Sequence, residues 1–153
     1  MANIPKRHKG NEIIQIQAMK SKFPNFTCKR KDGNIIFTGD LMIKPELPIY
    51  NVSVHYRFNK RPLVFVNNPQ LDDKCPHRYS DDSLCLYHRD NFKWDADKLI
   101  AKNIMQWTIA WIYFYEAWLQ TGIWFGPEVP HANSVKKEIM EEGVNNNKKR
   151  VVL

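Results

Sequence analysis

Residues 50–58 alternate without a break: Tyr50, Val52, Val54, Tyr56 and Phe58 are separated by Asn51, Ser53, His55 and Arg57. A period of two puts the first set on one face of a pleated strand and the second on the other. The segment therefore predicts a half-buried strand, with His55 on its wet face. Its neighbours carry the same period. Phe26 to Arg30 reads as a short strand, and Lys31-Asp32-Gly33-Asn34 as a hairpin turn of the Asp-Gly kind. Ile35, Phe37, Leu41 and Ile43 alternate through a second strand, in which Gly39 marks a bulge or a close approach. Lys44 to Pro48 is a loop. Beyond residue 58, Asn59 to Pro62 turns into a fourth strand, Leu63 to Val66. Connections this short imply an antiparallel meander with one solvated face.

Such a face needs a slab to pack on, and the second half of the chain supplies one. Ile100, Ile104, Trp107, Trp111, Phe114 and Trp118 recur at steps of four and three, a single apolar stripe over about five helical turns. Asp95 is placed as its N-cap with Trp94 as a hydrophobic staple, and Gly122 as its C-cap. A stripe of this kind reads as core, each fully buried side chain contributing roughly 1.5–3 kcal/mol. At the other end, Ile13, Ile16, Met19 and Phe23 predict a short amphipathic helix over 12–23. Asn11 is its expected N-cap and Pro24 its stop, with Lys20 and Lys22 off the apolar stripe. The expected fold is α+β: an N-terminal helix, a four-stranded antiparallel meander, a long irregular loop and a long aromatic helix. One domain over 1–131 is followed by a polar tail, 132–153, with a weak helix over 134–142 that then frays.

Composition narrows the partners. The net charge of +7 is uneven: residues 1–31 hold eight Lys/Arg against Glu12 alone, and the remainder holds fifteen of each sign. A neutral domain with a basic N-terminal segment can meet nucleic acid, an anionic surface or an acidic protein. Phe23 is the single aromatic among residues 11–25, and no glycine lies there, which is poor material for stacking bases. The expectation is an acidic protein surface and no specific nucleic acid. No secretory signal is apparent, and the run from Trp107 to Leu119 is too short for a membrane span of about 20 residues. Three cysteines, an odd number, then suggest reduced thiols in a cytoplasm.

Between sheet and long helix, residues 67–93 lose all sustained periodicity. Cys75, His77, Cys85 and His88 fall there within fourteen positions. Clustered Cys and His on a loop carried by regular elements mark a candidate site. As metal ligands they are poorly spaced, since structural zinc sites favour cysteine pairs about two to four residues apart; no metal and no cofactor is expected. A Cys-His hydrolase would use Cys85 with His77, His88 or His131 as base, but no local protease signature surrounds Cys85. Acyl carriage needs only a thiol that attacks an already activated acyl group, without a strongly depressed pKa. Asp81 and Asp82 beside it would oppose thiolate formation, which suits a carrier better than a thiolate-driven hydrolase.

The segment Pro76-His77, then Tyr79-Ser80-Asp81, then Ser83-Leu84-Cys85-Leu86, with Trp94 downstream, resembles the ubiquitin-conjugating enzymes. There a His-Pro-Asn segment runs to Ile-Cys-Leu, with the Asn eight residues before the catalytic Cys. His77 lies eight before Cys85 and takes the place of that Asn, while Cys75 replaces the His. A narrower resemblance spans about residues 76–131. Leu84 to Tyr87, Phe92 to Asp95, the Trp111 to Leu119 run and Thr121 to His131 are similar to bacterial stand-alone homologues of cyclic-oligonucleotide-based anti-phage signalling (CBASS) operons. The resemblance implies a conjugating-type fold with Cys85 as the thioester-forming nucleophile and His77 as a hydrogen-bond donor or proton-transfer group. His131 is a further candidate. It also implies a protein partner, the C-terminus of a cGAS-like nucleotidyltransferase, and possible docking of an activating enzyme on the basic first helix. Cys28 and Cys75 read as structural or incidental. The competing reading is a non-catalytic binding module of the same fold.

Overall fold

The computed structural model describes residues 6–88 and 91–127; His131, the 132–153 tail and its expected helix lie outside the described residues. Helix α1 spans Lys6–Lys22, followed by strands β1 Thr27–Lys31, β2 Asn34–Met42, β3 Ile49–Arg57 and β4 Lys60–Asn68. After a long irregular segment, a π-helical turn over Ile100–Ile104 runs directly into α2, Met105–Thr121. The four strands pair antiparallel in chain order, so the expected α+β layout is the observed one.

The turns follow from local chemistry. Asp32 and Gly33 join β1 to β2 with φ of 51° and 79°, the left-handed pair that a two-residue hairpin requires. Gly39 is a close approach and not a bulge. Pairing with β3 continues through Gly39↔Val52, and a Cβ at Gly39 would fall 2.4 Å from the Phe26 ring. Strand β4 is longer than expected, beginning before Pro62. The proline is tolerated because β4 is a sheet edge, and the register shifts beside it between His55 and Arg57. His55 lies on the face opposite the core, as expected, but half-buried there, its ring 4.9 Å from that of Phe65. Burial first, then Arg57 and Lys31, hold its pKa below the ordinary value.

Each helix buries a face that overlaps the expected apolar stripe without matching it; in α1, Met19 is buried and Ile16 and Phe23 pack partly against the core. Helix α1 starts at Lys6, so Asn11 lies inside it and caps nothing. Its buried positions are Glu12, Gln15 and Met19, whereas Ile13 is 54% exposed. The polar pair is buried because both side chains are satisfied from distant segments. Glu12 accepts from both Arg30 guanidinium nitrogens on β1, at 3.3 and 2.7 Å. Gln15 Nε2 donates to the Lys98 carbonyl at 2.8 Å, and its Oε1 accepts from the Ile100 N–H at 2.9 Å. Asp95 is not the cap of the long helix; its Oδ1 accepts from the Asp97 N–H at 2.8 Å in a separate turn. Gln15, reaching over from α1, takes the first helical N–H instead.

Along the second helix, Ile100, Ala101, Ile104, Met105, Thr108, Trp111, Ile112 and Tyr115 are buried. Trp107, Phe114 and Trp118 are only partly covered, so the expected stripe straddles one edge of the buried face. Thr108 is admitted because its hydroxyl donates to the Ile104 carbonyl at 2.8 Å. The sheet contributes Ile35, Phe37, Tyr50, Val52, Val54 and Val64 to the same core. Tyr50 donates to Glu116 of α2, and burial, then that bond, hold its hydroxyl well above the ordinary range. Gly122 ends α2 as expected, with φ 76° and its N–H on the Trp118 carbonyl at 2.7 Å. Among the described residues, no helix is long and apolar enough to cross a membrane.

Candidate functional site

The irregular segment between β4 and α2 is held by main-chain bonds to both. Asp72 donates its N–H to the Tyr115 hydroxyl at 2.9 Å, and its carbonyl accepts from Arg78 Nη2 at 3.0 Å. Residues Tyr79 to Ser83 close a tight turn, with Tyr79 N–H on the Ser83 carbonyl and Asp82 N–H on the Tyr79 carbonyl, each 2.9 Å. Asp81 accepts from the Ser83 N–H at 2.9 Å and from its hydroxyl at 2.6 Å, bonds that hold its carboxyl below the usual range. Leu84 then donates its N–H to the Val64 carbonyl at 2.9 Å, hooking the loop onto the edge of β4.

The next residue is Cys85. Its N–H donates to the His77 carbonyl at 2.9 Å, and the same carbonyl accepts from Trp111 Nε1 of α2 at 3.1 Å. Two of the expected site residues are thus brought together, through the backbone. The Cys85 side chain is only 3% exposed. Burial raises its thiol above the ordinary value, opposed by a hydrogen bond from Tyr79 and by the charge of Arg61. Burial, and not the expected charges of Asp81 and Asp82, is the leading cause of that rise. A raised thiol is the reverse of what a thiolate-driven hydrolase needs.

His77 is half-buried and sits at φ 61°, a left-handed backbone that Asn, Asp and His adopt more readily than other non-glycine residues. Its ring packs 4.8 Å from that of Trp124, which in turn lies 5.3 Å from Trp111. His77 is therefore part of an aromatic cluster with Trp124 and Trp111. Gly126 completes that wall, since a Cβ there would meet the Phe114 ring at 2.4 Å. Cys75 is buried, its thiol pushed up to about 11 chiefly by that burial and donating to the Pro76 carbonyl at 3.2 Å. Cys28 is exposed on β1. The His88 carbonyl accepts from Asn91 and Phe92. Among the described residues, no three His, Cys, Asp or Glu side chains converge to hold a metal ion.

Tyr79 and Arg61 are the neighbours of Cys85 that sequence reasoning passed over. Tyr79 stood in the recognisable segment, six residues before the thiol. Arg61 belongs to β4 and reaches the loop only in three dimensions, with its guanidinium carbon 4.5 Å over the Tyr79 ring.

A meander in chain order, a cysteine loop hooked to its edge strand and a helix behind it make an α+β protein compatible with the conjugating-enzyme layout. The chain belongs to the type II CBASS E2 proteins: the model of that family matches residues 15–132, from within α1 to beyond the described loop after α2. The match is wider than the 76–131 stretch over which the motifs carried the resemblance. It brings a ubiquitin-conjugation-like role in CBASS, with protein partners from the CBASS operon. Among curated proteins, none matches the chain.

Proposed function

We propose that Cys85 carries the C-terminus of a protein as a thioester and passes it to an acceptor during anti-phage defence. The C-terminus, that of a cGAS-like nucleotidyltransferase, arrives already activated as an acyl adenylate or a thioester. The Cys85 sulfur attacks the acyl carbon, an S–C bond forms, and the activating group departs with its bonding electrons while the thiol proton passes to solvent or to that group. An acceptor nucleophile then attacks the thioester carbon, loses its proton, and releases Cys85. His77 is the candidate hydrogen-bond donor or proton-transfer group for these steps, and His131 a further one. The activating partner docks on α1, whose last turn carries Lys20 and Lys22 and whose outer side exposes Ile13 and Ile14.

The observation that carries this reading is the backbone bond between Cys85 and His77, which joins the loop's thiol to the residue eight positions earlier. A second reading, a non-catalytic binding module of the same fold, draws on the 3% exposure of Cys85. Intact mass spectrometry of the protein co-expressed with its operon neighbours separates the two. The wild type should show a reductant-labile adduct, Cys85→Ser a reductant-stable oxyester, and Cys85→Ala neither. A labile adduct on the Ala variant, or none on the wild type, refutes the assignment.

A further inference from the structure

Cys85 lies under cover, yet thioester chemistry requires its sulfur to ionise. Two of the groups that act on it come from different elements. The loop contributes Tyr79, and β4 contributes Arg61, which lowers the pKa of Cys85 and also acts on Tyr79, Tyr87 and Asp81. Arg61 is half-buried, its carbonyl accepts from Arg57 Nη2 at 2.8 Å, and its guanidinium carbon stands 4.5 Å over the Tyr79 ring. The Tyr79 turn is itself fixed by the two backbone bonds with Ser83 and Asp82. The Tyr79 main chain is thus fixed in its turn, and Arg61 lies over its ring.

We propose that Tyr79 and Arg61 act as one unit on Cys85, the Tyr79 hydroxyl donating to the sulfur as the thiolate forms and Arg61 holding that ring while balancing the new negative charge. Tyr79 touches the reacting atom; Arg61 is a positioning residue that works partly through it. The inference rests on Cys85 being the nucleophile. Burial, then the bond to Cys85, pushes the Tyr79 hydroxyl up to about 12, so it keeps its proton, and its capacity to donate, throughout the neutral range. Arg57 repels Arg61 and Asp81 attracts it, so the local cationic charge is partly balanced before the thiolate appears. A guanidinium on an aromatic face keeps its charge while lying flat, an arrangement that an ammonium does not reproduce.

Alkylation of the full-length protein by iodoacetamide, followed over neutral to alkaline pH and resolved cysteine by cysteine with peptide mass spectrometry, tests this without any acyl donor. The pH at which the Cys85 rate reaches half its plateau reports ionisation, and the plateau itself reports access. Tyr79→Phe and Arg61→Gln should each move that half-point upward by about half to one pH unit, about three- to tenfold less thiolate at neutral pH. Arg61→Lys should fall between Arg61→Gln and the wild type. The exposed Cys28 is the internal control, and its profile should stay in place. Melting curves identify variants that are folded. A folded Tyr79→Phe whose half-point is unmoved, or in which only the plateau rises, overturns the proposal, since Tyr79 would then cover the thiol without tuning it. A missing thioester adduct, by contrast, would count against the carrier reading and leave this titration result standing.

Discussion

Replacing Gln15 by Leu should destabilise the fold well beyond the ordinary effect of a helix-surface change. Gln15 is 1% exposed, and its amide bridges the Lys98 carbonyl and the Ile100 N–H at 2.8 and 2.9 Å. Leucine fills similar space and leaves both backbone groups without that partner. An orphaned buried group costs roughly 1–3 kcal/mol. Ile100 is fully buried, so its N–H falls toward the upper part of that range, while the Lys98 carbonyl is partly reached by water and falls lower. Together they cost about 2–4 kcal/mol, a drop in Tm of about 5–15 °C for a domain of this size. Gln15→Glu gives the same site a pH dependence. One carboxyl oxygen still accepts from Ile100, but the other faces the Lys98 carbonyl, repelling it when ionised and donating to it when protonated. The folded-state pKa of that Glu therefore lies above the unfolded value of about 4.3. A group raised on folding contributes its stability below the unfolded pKa and loses it as pH rises through the folded one. Urea and thermal melts across pH, each compared with wild type at the same pH, read both effects. A Leu variant within about 0.5 kcal/mol of wild type, or a Glu variant whose deficit is flat in pH, refutes the cap.

His77 separates into backbone and ring. His77→Asn keeps a residue suited to φ 61° and loses the Trp124 contact, costing about 0.5–1.5 kcal/mol. His77→Ala should cost about 1 kcal/mol more for its left-handed backbone, so transfer rates are to be compared where both variants are folded. If the imidazole acts as a base, wild-type transfer shows an apparent pKa near ~6–7 that Asn erases; wild-type transfer by a folded Ala variant would remove His77 from the site. The basic segment should bind DNA and RNA weakly in gel-shift experiments at moderate salt, and tight, steeply salt-dependent retention would contradict an acidic protein as its partner.

Elements whose period is set by their own side chains were readable in advance. The alternation of β3, the Asp32-Gly33 turn and the Gly122 cap depend on residues within a few positions of each other. The phase of α1 was not readable, because Glu12 and Gln15 are buried by partners on β1 and at the start of the second helix, far away in the chain. An apolar count assigns such positions to solvent. Asp95 carried a correct local signal, a side chain that caps a turn, but the turn it caps stands apart from the long helix. In the candidate site, positions 77 and 85 were joined by the resemblance to the conjugating enzymes, whereas Arg61 could only be found once β4 was folded against the loop.

The carbonyl of His77 receives two N–H groups, one from the cysteine and one from an indole on the helix behind. The Cys85 backbone is therefore registered through the main-chain carbonyl of residue 77, a group present whatever side chain that residue carries. A loop built this way can accept other side chains at that position and still keep the Cys85 backbone in place. The freedom ends where the anchor does. Losing the Trp111 indole N–H, or bringing a proline to position 85, would shift the loop even with every polar side chain around it intact.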